Sequence, residues 1–347
     1  MNDFGEMFNV HCSMFIFHWK VVDYPAFRLK EAQPMKLTAI RSLVAILAVF
    51  AIMAVCANAQ QDFSNVQIKT NKISNNFYTL DGQGGTIGLL VGPDGVFMVD
   101  AQFAPLHDKI MAAIRQITKS PVKFVVNTHV HGDHTGGNEA MGKEGATILA
   151  RGTLRNRLMR PAPGANGQAP PPTPAPGLPV ITYNANSQLA FHMNGEDVQL
   201  IPIPNAHTDG DTMVRFVQND VIMTGDFFRS VQYPNIDRGN GGGLNGMING
   251  LGQIIARSGP NTKIIPGHGP TVDRNAVIAH RDMMLAVRDR ISKMIKEGKS
   301  EADVIAAKPW SDFDTKIPQS DAKVGNTQVT VSQRFATQVY AELRPTP

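Results

Sequence analysis

Three histidines and one aspartate fall within six residues of this chain: His129, His131, Asp133 and His134. They stand in Thr128-His129-Val130-His131-Gly132-Asp133-His134-Thr135-Gly136-Gly137-Asn138. Imidazole nitrogen and carboxylate oxygen are the usual donors to catalytic zinc and similar divalent ions. His129 and His131 are two residues apart, so an extended or looping backbone points both the same way. Asp133 and His134 lie just beyond, where the chain turns, and can face a second ion close by. The glycines let the backbone turn tightly.

The chain has ten histidines. His11 and His18 lie near the N-terminus, and His107, His192 and His280 sit on helix or strand patterns that need no special account. The other five gather in three loops flanked by Gly, Asp or Pro. These are the stretch above, Asn205-Ala206-His207-Thr208-Asp209-Gly210-Asp211-Thr212, and Ile265-Pro266-Gly267-His268-Gly269-Pro270. A fourth apolar run ends in Met223-Thr224-Gly225-Asp226. Counting donors gives a two-ion site. His129, His131 and His207 would hold one ion, Asp133, His134 and His268 the other, and Asp226 would bridge them. Two cations sharing a water lower its pKa and supply hydroxide near neutral pH. The same ions can stabilise charge on a carbonyl or phosphoryl oxygen. That is metal-assisted hydrolysis without a protein nucleophile, the leaving atom taking its proton from solvent near Asp133.

Such donors must be presented by strand ends. Residues 76–80, 86–91 and 95–100 read as consecutive strands separated by Asp81-Gly82 and Gly92-Pro93-Asp94-Gly95. Ile110, Met111, Ile114 and Ile117 have helical spacing within 106–118. Further strands are expected at 122–126, 147–150, 188–193, 198–203, 212–217, 221–224 and 263–265. Helices are expected at 154–159, 244–256, 275–297 and 330–343, with one more ending at 305–307. No internal repeat shows. The order suits two mixed sheets packed together with outer helices, a four-layer αββα sandwich in the α/β class. Residues 161–179, with Pro170-Pro171-Pro172 at the centre, break the pattern. They read as a flexible surface excursion, or alternatively as a flap over the site mouth.

In residues and in order, the four segments resemble the metallo-β-lactamase superfamily. Its signature stands here as His129-x-His131-x-Asp133-His134, followed by His207, Asp226 and His268. The resemblance runs from about Phe77 to about His280. It implies that Asp100 supports the metal loop from behind. It also implies substrate-facing roles for Arg229, three residues after Asp226, and for Asn245, in the Gly-rich loop from Asn240. Asp226 is a departure from the best-known β-lactamases, which place cysteine or serine there. An aspartate is more like glyoxalase II, lactonases and nucleases.

Of the 347 residues, 42% are hydrophobic and 18% charged, with a net charge of +4. This is a globular composition with no basic block, which argues against nucleic acid and favours a small-molecule substrate. Met35-Lys36-Leu37-Thr38-Ala39-Ile40-Arg41, an apolar run from Leu43 to Val55 and Ala57-Asn58-Ala59 form the three regions of a secretory signal peptide. The run is shorter than the roughly 20 residues a span needs. Domain boundaries follow: 1–34 as an over-extended start, 35–59 as signal peptide, and 60–347 as one domain with C-terminal helices. The only cysteines, Cys12 and Cys56, fall before residue 60. A periplasmic or secreted enzyme with no lasting membrane anchor is expected. Export favours an ester, amide or lactone substrate, with β-lactams included. Two Zn2+ ions are the expected cofactors, although iron or another divalent metal suits the same donors. The alternatives are an iron redox enzyme of this fold and a metal-bearing binding protein without turnover.

Overall fold

Alternation along the strands decides the layers. In β4 (Val96–Val99), Phe97 and Val99 face one cluster of buried side chains, and Val96 and Met98 face another. Successive side chains of a strand point to opposite faces, so a strand buried on both sides sits between two layers. The computed structural model describes residues 61–163 and 167–344. The expected signal peptide and the segment before it lie outside the described residues. From Asp62 onward the chain forms one unit.

Seven strands make the first sheet, in the order β1 to β7. They are β1 (Lys69–Lys72), β2 (Phe77–Asp81), β3 (Ile87–Leu90), β4, β5 (Val122–Val126), β6 (Thr147–Arg151) and β7 (Ile181–Tyr183). Pairing is antiparallel from β1 to β4 and parallel from β4 to β7. The second sheet runs β12-β11-β10-β9-β8. It contains β8 (Leu189–Met193), β9 (Glu196–Pro202), β10 (Thr212–Phe216), β11 (Val221–Met223) and β12 (Lys263–Ile265), and only the β11–β12 pair is parallel.

Between the sheets, Phe77, Phe97, Val99 and Val126 meet Leu200, Val214, Phe216 and Met223. Outside the first sheet, α1 (His107–Ile117) lays Ile110 and Ile114 over Leu89, Met98 and Val125. Outside the second, Ile201, Met213, Ile222 and Ile264 are covered by α5 (Leu244–Arg257), α6 (Arg274–Lys296) and α8 (Val331–Leu343). Three short helices, α2 (Gly132–Thr135), α3 (Asn138–Lys143) and α4 (Gly152–Met159), follow β5 and β6, and α7 (Glu301–Ala307) precedes α8. This is the four-layer αββα sandwich. The expected strands and helices are present with ends shifted by at most a few residues, and β1, β7, α2 and α3 are additions. β1 is four residues, Lys-Thr-Asn-Lys, with no buried position, so it carries no hydrophobic signal. Among the described residues no helix is long and apolar enough to cross a membrane.

Candidate metal centre

Every candidate donor sits just beyond a strand. β5 delivers His129, β9 leads to His207, β11 to Asp226 and β12 to His268. His131 Nδ1 lies 3.2 Å from His129 Nε2 and 3.0 Å from His207 Nε2. Asp226 Oδ2 is 3.8 Å from both His129 Nε2 and His207 Nε2. On the other side, His268 Nε2 is 3.1 Å from Asp133 Oδ2, and His134 Nε2 is 3.6 Å from the same oxygen. Asp226 Oδ1 is 3.4 Å from both His134 Nε2 and His268 Nε2. Two groups able to hold a metal ion result, one of His129, His131, His207 and Asp226, the other of Asp133, His134 and His268. Asp226 presents one oxygen to each.

The outward ring nitrogens show that these donors suit a cation. His131 Nε2 donates to Asp237 Oδ2 at 2.6 Å, His207 Nδ1 to the Asn235 carbonyl at 2.7 Å, and His134 Nδ1 to Asp100 Oδ2 at 2.7 Å. His129 Nδ1 is 3.1 Å from Thr128 Oγ1, whose own proton goes to Asp100 Oδ2. With the outer nitrogens of these four rings acting as donors, the inner nitrogens are left with lone pairs. Converging lone pairs repel unless a proton or a cation lies among them. Buried His134 Nε2, His268 Nε2 and Asp226 Oδ1 also have no hydrogen-bond partner, a cost a metal ion would remove.

Asp100 ends β4 in the left-handed region, at φ 61°. Asp tolerates that region better than most residues. Its carboxylate accepts Thr128 N–H and Thr128 Oγ1–H, each at 2.7 Å, as well as the His134 ring. Two close approaches need glycine. A Cβ on Gly85 would strike the His134 ring, and one on Gly267 would strike Asp226 Oδ1. The His207 turn is held by Asp211, whose oxygens accept Thr208 N–H at 2.8 Å and Thr208 Oγ1–H at 2.6 Å.

Arg229 lies beside the centre, donating to Asp226 Oδ2 and, at 3.3 Å, to Gln232 Oε1. Its guanidinium thus neutralises a candidate metal donor instead of standing free at the mouth. Asn245 is exposed on the first turn of α5. The neighbouring Leu244 and Met247 take the buried side of that helix, and a residue one step along points about 100° away. The asparagine beside the centre is Asn240, whose amide donates to Asp237 Oδ2 at 2.7 Å.

The metallo-beta-lactamase superfamily matches residues 80–277, more than half of the chain. The chain belongs to that superfamily. A metallo-beta-lactamase from Pontibacter korlensis superposes with a TM-score of 0.52 at 18% identity, over 63% of this chain and 99% of that one. DIM-1 metallo-beta-lactamase does so with a TM-score of 0.52 at 15% identity, over 64% and 99%. The inverting sec-alkylsulfatase Pisa1 from Pseudomonas sp. gives a TM-score of 0.56 at 14% identity, over 81% of this chain and 52% of its own. At these identities the likeness concerns the fold. No curated protein matches the sequence.

One support of the centre comes from beyond the matched region. Gln338 on α8 accepts Ile236 N–H at 3.0 Å and donates to Asn235 Oδ1 at 3.0 Å. It therefore clamps the loop whose Asn235 carbonyl and Asp237 carboxylate orient His207 and His131. Gln338→Ala should weaken metal binding at the three-histidine group by roughly tenfold, the scale of lost outer support. Metal titration monitored with Co2+ absorption would show it, and an unchanged affinity would deny the clamp.

Proposed function

We propose that this chain is an exported binuclear zinc hydrolase that cleaves an ester, amide or lactone carbonyl. The supporting observation is the division of the donors into two groups that share only Asp226, one oxygen to each. Bound there, two zinc ions would supply a hydroxide nucleophile near neutral pH and Lewis-acid polarisation of the carbonyl oxygen. The protein's part is to fix the donors and keep their lone pairs inward. Asp100, Thr128, Asn235 and Asp237 do this from behind. Asp133 has a side chain 22% exposed, so the leaving atom can take its proton from water beside it. Burial pushes the Asp133 pKa up, but the close His268 ring, with Nε2 3.1 Å from Asp133 Oδ2, and the charge of His134 outweigh it and hold the carboxyl at about 2. Arg229 balances the charge of Asp226, and would orient an anionic group only on turning away from it.

The test is zinc-loaded protein against a panel of esters, lactones, thioesters, β-lactams, and sulfate and phosphate esters. Turnover of a carbonyl substrate is expected. No turnover of any member would end the hydrolase reading. Metal analysis of protein from its native compartment separates zinc from an iron redox centre, which the same donors would also suit.

Acid should strip the two groups in a fixed order. Burial works against a proton on His134, but the carboxylates of Asp100 and Asp226 outweigh it and raise its pKa well above the ordinary value. His268 is raised in the same sense, by Asp226 and Asp133 against burial. Burial holds His129 well below its ordinary value and His207 at about 3. A raised pKa means protons compete with metal at higher pH. As pH falls, bound metal should therefore drop from two ions to one before the second leaves, with Asp133, His134 and His268 emptying first. Metal content after equilibration across pH reads this directly. Loss of both ions in one step would contradict it.

A further inference from the structure

The Pro-rich segment is not used by the metal centre, yet its described part is fastened beside it. Thr173 N–H donates to the Leu158 carbonyl at 2.9 Å and Val180 N–H to the Ile148 carbonyl at 2.9 Å. The Gly177 carbonyl accepts from Asn138 Nδ2 at 3.3 Å, and the Pro179 carbonyl from Arg155 Nε at 2.9 Å. Gly177 is buried so closely against α3 that a Cβ there would lie 3.1 Å from Glu139 N. Residues 173–180 are thus a fixed wall, unlike the free excursion that composition suggests.

A cleft of about 560 Å³ lies between this segment and the metal loop. His131 and Asp237 stand at its edge toward the centre, and Pro170, Pro171 and Pro172 line it with Leu158 and Val130. That volume is typical of small-molecule sites. Proline has no N–H to donate and one fixed backbone dihedral, so Pro170–Pro172, anchored at one end where Thr173 N–H bonds the Leu158 carbonyl, offer apolar contact at reduced ordering cost.

The charges around the cleft are already committed. Among the described lining residues, Arg157 carries the single guanidinium or ammonium group. It donates to Asp209 through Nε at 2.8 Å and Nη2 at 2.7 Å, and through Nη1 to Asn240 Oδ1 at 3.1 Å. Asp237 is bonded to His131, and Glu139 to Lys143 at 2.6 Å. Among the described lining residues no cationic side chain is left free to receive a carboxylate, while two carboxylates, Asp237 and Glu139, face the cleft. An anionic group here would be repelled and would lose its water without a partner.

We propose that this cleft is the subsite for the larger, apolar and uncharged part of the substrate, with Pro170–Pro172 as its specificity-determining wall. The proposal rests on the hydrolase reading for the identity of the reacting group. It predicts neutral acyl or aryl substrates, such as medium-chain esters or lactones, over carboxylate-bearing ones.

The test uses binding, so it does not depend on turnover. Zinc-loaded protein is titrated calorimetrically with straight-chain alkyl hydroxamates of two to eight carbons, and with eight-carbon hydroxamate ending in a carboxylate. Affinity should rise about fourfold per methylene, the scale of burying one such group. The carboxylate-ended probe should bind at least tenfold more weakly than its methyl-ended counterpart. Replacing Pro170, Pro171 and Pro172 together by glycine should flatten the chain-length dependence. Affinity independent of length, no binding at any length, or equal affinity for the carboxylate-ended probe would each overturn the proposal, whether or not the triple variant folds. A clear length dependence without turnover of any panel member would retire the hydrolase reading and leave the cleft assignment standing. Turnover without length dependence would do the reverse.

Discussion

Asp226→Asn is expected to cut hydrolysis by on the order of a thousandfold, equivalent to about 4 kcal/mol of transition-state stabilisation. It should also leave the chain with one tightly held ion in place of two. Among the described residues, Asp226 is the one whose oxygens reach both donor groups, at 3.8 Å from His129 Nε2 on one side and 3.4 Å from His134 Nε2 on the other. Asparagine keeps one neutral oxygen and puts an N–H2 where the other stood. That amide cannot donate a lone pair to a cation, so one group loses a ligand and its charge. The fold should survive. Asp226 is 1% exposed, and a buried carboxylate is costly without a counter-charge. In the metal-free protein that counter-charge comes first from Arg229, then from His268 and His134, which outweigh burial and hold the Asp226 pKa well below its ordinary value. Neutralising the carboxylate removes this demand, and Arg229 keeps Gln232 as a partner. What should shrink is the stabilisation gained on adding zinc, since a ligand stabilises the folded state only through its affinity for it. Metal stoichiometry, kcat/KM and melting temperature with and without chelator check the three parts together. A variant that still binds two ions and turns over normally would show that Asp226 does not bridge.

The seven candidate donors could be read from the sequence because each lies in a loop whose residue types are unusual. Histidines among Gly, Asp and Pro directly after an apolar run are hard to explain as packing. The groups that aim those histidines were another matter. Asp237 reaches His131 from 106 residues away, and Gln338 reaches the Asn235 loop across 103. Neither has a neighbour of informative type, and a backbone carbonyl such as that of Asn235 has no residue signature at all. Asp211 stands in the His207 loop itself, but only the structure shows it closing the turn through Thr208. The strands with apolar alternation were legible for the same reason the layers are. β1 was not, since it buries nothing and is held by pairing to β2. The Pro-rich segment misleads in the opposite direction. Its composition speaks of freedom, while four side-chain and backbone hydrogen bonds to α3, α4 and β6 fasten residues 173–180. Composition reports what a segment lacks for folding by itself, not what neighbouring elements supply.

Asp100 offers the second large effect, and two substitutions there should fail in different ways. Its carboxylate is 1% exposed and receives three hydrogens, from Thr128 N, Thr128 Oγ1 and His134 Nδ1. Asp100→Ala leaves the Thr128 N–H and the His134 ring without an acceptor in a buried place. Removing one partner of a buried pair costs about 3–5 kcal/mol. The left-handed backbone at φ 61° adds about 1 kcal/mol against alanine. A variant that unfolds or is marginal is therefore expected. Asp100→Asn keeps the shape and tolerates the backbone, so its stability should fall by much less. Its single oxygen can serve Thr128 N–H, but its amide then faces His134 Nδ1 as a donor. The ring must place its proton on Nε2, toward Asp133 and Asp226, where a metal lone pair is needed. Zinc affinity at the Asp133, His134 and His268 group should drop by roughly 10–100-fold. The damage should extend to the other group, because Thr128 Oγ1 links Asp100 to His129 Nδ1. Urea denaturation of the metal-free forms separates the two variants by stability, and Co2+ titration separates them by metal binding. If Asp100→Asn bound the second ion as tightly as the parent, Asp100 would not be what holds the His134 lone pair inward.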